Sequence, residues 1–127
     1  MTLEYFEDGD RGLPLLVLHG GDISERAELY RIFQALADGT TRLVRLHELP
    51  FLNNPGGLTF TAASSDVDFG VEQDKSSSTF QWKRSLESRE QIAGLMQLFV
   101  VEGTGGGFQY LNAAEGPEVI YSTRRAW

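Results

Sequence analysis

The chain contains no cysteine, which excludes disulfides, thiolate metal sites and thiol nucleophiles. Long apolar runs are missing too; none approaches the roughly 18 residues that a membrane-spanning helix needs. Histidine is scarce, at 2 in 127 residues. Neither a G-x-S-x-G nucleophile elbow nor a Gly-Lys phosphate loop occurs. Positive charge is short: Lys and Arg number 11 against 18 Asp and Glu, a formal net charge of −7. A surface of that sign repels phosphate backbones, so nucleic acid and anionic membrane are not expected partners. The segment Met1–Asp10 carries acids and no base, unlike a targeting peptide, and the expected location is the cytoplasm.

What is present suits one domain over residues 1–127, with 41% hydrophobic residues, enough for a core without staples. Two segments carry helical periodicity. In Glu25–Asp38 the apolar residues Leu29, Ile32, Phe33, Leu36 and Ala37 fall on one stripe, and in Glu87–Glu102 so do Ile92, Leu95, Met96, Phe99 and Val100. Asp22 with Glu25 reads as a capping box, Ser85 as the second N-cap, and Gly39 and Gly103 as left-handed terminators. Phe33, Leu36, Met96 and Phe99 are the expected centre of the core.

The two stripes match at an offset of 63, as Leu29 on Ile92 or Leu36 on Phe99. Strand patterns flank each helix. Leu3–Phe6 and Leu13–His19 precede the first, and Arg42–Leu49 and Leu58–Ala63 follow it. Val67–Val71 and Thr79–Arg84 precede the second, and Phe108–Asn112 and Val119–Thr123 follow it. The expected class is α+β: a mostly antiparallel sheet with two helices on one face, from an internal duplication of a ββαββ unit whose halves divide near residue 64. Val67, Phe69 and Val71 are expected to face inward, leaving Asp66 and Asp68 on the wet face of their strand.

Sites are few. Leu15–Gly21 resembles the strand and oxyanion loop of an α/β-hydrolase for seven residues only, and the turn into a capped helix explains its glycines. Gly103–Gly107 follows a helix rather than preceding one, so its amides are not set for a phosphate. Asp8-Gly9-Asp10 and Asp66-Val67-Asp68 lack the ligand pattern of a calcium loop. A crossover through the first helix would make its flanking strands parallel neighbours. That places His19 and His47 toward one sheet edge with Asp22 and Glu48, a candidate ligand-binding or acid–base group. No catalytic residue set, cofactor or metal is expected. Tyr121 and Trp127 are the candidate interface residues, the first on a C-terminal strand taken to be an exposed edge.

Phe80-Gln81-Trp82 before the second helix, with Gly107-Phe108-Gln109-Tyr110-Leu111 before Val119-Ile120-Tyr121-Ser122, resembles small uncharacterised bacterial proteins, some similar to immunity proteins that neutralise a partner toxin. The likeness covers about 45 residues, and it departs from the usual pattern at Phe108, where a His is typical. It implies a non-enzymatic α+β protein that binds another protein. Charge supports a basic partner: residues 1–70 hold 11 acids against 5 bases, and residues 71–127 hold 7 against 6. Two other readings stand beside it, a homo-oligomer such as a dimer joined through a sheet edge, and a small ligand-binding or enzymatic domain near His19 and His47.

Overall fold

The computed structural model describes residues 1–10, 13–74, 78–100, 107–112 and 116–123. Among them the elements run β1 (Thr2–Asp10), β2 (Leu13–His19), α1 (Ile23–Asp38), β3 (Leu43–Arg45), β4 (Thr59–Ser64), β5 (Gly70–Asp74), β6 (Thr79–Arg84), α2 (Leu86–Gln97), β7 (Phe108–Asn112) and β8 (Glu118–Ser122). A 3-10 turn at Leu46–Glu48 interrupts the strand expected over Arg42–Leu49 and buries Leu46.

Helix α1 starts where its cap dictates. Asp22 accepts the Glu25 N–H at 2.8 Å, and the Glu25 carboxylate accepts the Asp22 N–H at 2.9 Å, the reciprocal pair of a capping box. Gly39, at φ 84°, ends the helix in the left-handed region as expected. Helix α2 is capped by Ser85 and ends at Gln97, short of the expected Glu102. Its last turn tightens instead into i−3 hydrogen bonds from Leu98, Phe99 and Val100 to Leu95, Met96 and Gln97. Gly103 lies outside the described residues.

The class is α+β, but the strands form two sheets rather than one. Their orders are β1-β2-β8-β7 and β3-β4-β6-β5. Both are mixed: an antiparallel pair stands on each side of a central parallel pair, β2 with β8 in the first sheet and β4 with β6 in the second. Read from its other end, the second sheet is β5-β6-β4-β3, which matches the first strand for strand. Each sheet therefore takes the two strands before one helix and the two strands after the other. The common strand order is compatible with the expected internal duplication without establishing it, while the single sheet does not hold. The physical reason is that apolar alternation decides which face of a strand turns inward and not which strand lies beside it. β8 is accordingly central, flanked by β2 and β7, and offers no edge.

Both sheets turn one face to a shared core that the helices close. Phe33, Leu36, Met96 and Phe99 are all buried there, with Leu16, Leu18, Phe60, Phe80, Trp82 and Tyr121. Trp82 stacks on Phe60 and meets the Phe33 ring edge-on, each at 5.9 Å between centroids, and Phe99 meets Tyr121 at 4.8 Å. Burying such a side chain contributes about 1.5–3 kcal/mol. Leu15, Val17 and Ile120 form a second, smaller cluster with Phe6 and Tyr110 on the opposite face of the first sheet.

Val67 and Phe69 depart from expectation. They are 58% and 50% exposed, and β5 starts only at Gly70. The cause is Asp68 between them. Its carboxylate accepts the Ser85 N–H at 2.6 Å and the Ser88 hydroxyl at 2.7 Å, so this segment is used to cap α2 instead of continuing the strand.

Candidate functional site

His19, the last residue of β2, is 4% exposed, and its Nε2 lies 2.7 Å from Glu4 Oε1 on the neighbouring strand β1. The two are diagonal neighbours, since Glu4 pairs with Val17 and His19 with Thr2. Its Nδ1 is buried without a hydrogen-bond partner. The offset of 63 that aligns the helices sets His19 opposite Trp82, but Leu18 is the position that, like Trp82, faces the shared core.

His47 sits in the 3-10 turn beside β4. Its Nδ1 lies 3.1 Å from the Phe60 amide nitrogen and 3.2 Å from the Phe60 carbonyl oxygen, and its Nε2 lies 3.8 Å from Glu48 Oε1. Glu48 is also held by Arg45 at 3.4 Å, and Asp22 is committed to capping α1. The sequence argument brought the imidazoles together by making the strands around α1 neighbours in one sheet. They lie in different sheets, so each histidine serves its own surroundings. Among the described residues no three His, Asp or Glu side chains are arranged to hold a metal.

Tyr121 is fully buried and donates its hydroxyl to the Gly20 carbonyl at 2.8 Å, which removes it as a surface contact. Burial pushes its phenol well above the ordinary tyrosine pKa. Trp127 lies outside the described residues.

A charged rim is what sequence reasoning missed. β1 and β5 are edge strands of different sheets. Tyr5 of β1 joins them, packing on Phe80 at 4.8 Å and donating its hydroxyl to Gln73 of β5 at 3.3 Å. Glu7 and Asp8 are exposed on β1, and Glu72 and Asp74 are exposed on β5. The charge count of residues 1–70 carried half of this signal. The rest depended on the long-range contact between Tyr5 and Gln73. Near the start of α2, Phe69 and Leu86 are exposed as well, with the Lys83 ammonium 5.8 Å from the centre of the Phe69 ring.

The fold and rim define a two-sheet α+β protein with interlocked halves and an acidic edge. No family model matches the chain, and no curated protein or solved structure is significantly similar to it.

Proposed function

We propose that this protein is a non-enzymatic protein-binding module that uses the acidic rim of β1 and β5 against a basic partner, in the manner of an immunity-type inhibitor. The observation that carries the reading is the Tyr5–Gln73 link, which gathers acids from two separate sheet edges. Charges on an edge strand also discourage edge-to-edge association between copies, a role they fill on any sheet. Acids on two edges linked through Tyr5 would add negative potential that speeds association with a basic protein and selects against acidic ones.

The test is capture from a lysate of the organism of origin, using the wild-type chain and a Glu7→Lys, Asp8→Lys, Glu72→Lys variant. The wild type is expected to retain a stoichiometric basic protein at low salt and to lose it as salt rises. The variant is expected to retain none. Binding that survives both high salt and the charge reversal removes the rim from the account.

A further inference from the structure

β1 is an edge strand whose outer pairing begins and then stops. Leu3 donates its N–H to the Asn53 carbonyl at 2.9 Å, and Asn53 donates its own to the Met1 carbonyl at 2.8 Å, a parallel bridge beside Thr2. A ladder in this register would next bring the N–H of residue 55 to the Leu3 carbonyl. That residue is Pro55, which has no N–H to give. The chain turns away there instead. Gly57 donates to the Asn54 carbonyl at 3.2 Å, and the Asn54 side chain holds both backbone groups of Leu58.

The same bridge fixes which groups of β1 face outward. Backbone groups along a strand point alternately to its two sides. Leu3 and Tyr5 therefore turn their N–H and C=O away from β2, while Glu4 and Phe6 turn theirs toward Val17 and Leu15. On the far side of β2 the Gly20 N–H reaches the Ser122 carbonyl at 2.9 Å, which agrees with that phase. Among the described residues nothing pairs with the Leu3 carbonyl or with either backbone group of Tyr5. The open row is short, because the β1–β2 register shifts between Phe6 and Asp10. So short a ladder contributes little in net terms against water, and charge has to select what joins it.

The acids of β1 make that selection. Glu7 and Asp8 are exposed. Glu4 lies on the face opposite the shared core, where one carboxylate oxygen meets His19 and the side chain is still 38% exposed. The β1 edge of a second copy would set acids against acids, which disfavours self-pairing. A strand with Lys or Arg at every second position lays them all on one face, the face of Glu4.

We propose that β1 receives its partner as an added strand: an extended basic segment pairs with Leu3 and Tyr5 beyond Asn53, places alternate Lys or Arg side chains beside Glu4, and reaches Glu7 and Asp8 at one end. This rests on the acidic-rim reading and specifies how the partner engages it.

The test is fluorescence anisotropy of a labelled octapeptide of alternating lysine and threonine, titrated with the full chain at low salt. Two further peptides carry backbone N-methyl groups, one on its lysines only and one on its threonines only. Only every second N–H of an added strand meets β1. One methylated peptide is therefore expected to bind about tenfold more weakly and the other to bind like the parent, the affected set telling a parallel from an antiparallel strand. A Glu7→Lys, Asp8→Lys variant is expected to weaken the parent peptide by a similar factor. Methylation that weakens both peptides equally, or neither, overturns the added strand. If charge reversal still abolishes binding in that case, the rim survives as a contact between side chains alone. A parent peptide that does not bind at low salt also overturns the proposal, as does a dimer of the chain that the peptide breaks apart, which would put a second copy on this edge.

Discussion

At α1 the N-cap N–H is met by Glu25, three residues along the helix. At α2 Ser88 holds that position and cannot reach back, so Asp68 supplies the carboxylate from the segment before β5. The Ser85 N–H and Ser88 hydroxyl hold Asp68 below its ordinary pKa. Its contribution is present above the unfolded carboxylate value of about 3.9 and is lost as pH falls through the folded value. Asp68→Ala is therefore expected to cost about 1 kcal/mol at neutral pH, since solvent at this half-exposed site screens the interaction. Urea midpoints measured down to strongly acid pH should show that deficit shrinking. Tyr121 has the opposite sign. Its raised pKa means that the hydroxyl's contribution is complete below about pH 10 and lost as pH climbs toward the folded value. Tyr121→Phe leaves the Gly20 carbonyl without its donor and is expected to cost about 1–2 kcal/mol at neutral pH. The gap between wild type and variant should narrow in alkali, read by the same urea midpoints.

Gly116, in the turn between β7 and β8, presses on the Val71 carbonyl of β5. A Cβ there would sit 2.2 Å from that oxygen, and φ is already 85°. Gly57 shares the positive φ, at 62°, but has open space around it. Gly57→Ala is expected to cost about 1 kcal/mol from backbone strain alone, and Gly116→Ala about 2–4 kcal/mol because a strand must also move. Chemical denaturation of the two variants separates strain from collision. Elements such as α1, β2 and β6 were legible in the sequence because period, cap and turn all agree on them. The β3 strand was overestimated, since the apolar pattern of Val44 and Leu46 fits a short strand and a 3-10 turn equally well. Val67 and Phe69 were misread because the need that set their conformation, a cap for α2, lies 17 residues away at Ser85. Of the candidate site, the conformation of each part was partly legible, including the capping role of Asp22. The separation of His19 from His47 was not, because sheet membership depends on long-range pairing that local alternation does not encode.

At the scale of the whole molecule, the two sheets interlock: each is half built by the first half of the chain and half by the second. The parallel pair of the first sheet joins β2 to β8, nearly the full length of the described chain, so a late strand closes a sheet begun by two early ones. Contacts of such sequence separation make folding slow. A β7–β8 pair released from its own chain finds the same receptor, the open side of β2, on any other copy. Refolding at high protein concentration is therefore expected to yield reciprocal dimers in which two chains trade their C-terminal strands, with dilute refolding giving monomer. Size-exclusion chromatography of the two preparations distinguishes them, and a single species at every concentration would show that closure within one chain outruns exchange. Once formed, such a dimer would hold all the contacts of two monomers and would separate only by unfolding, so that the history of a sample, rather than its concentration at the time of measurement, would decide its mass.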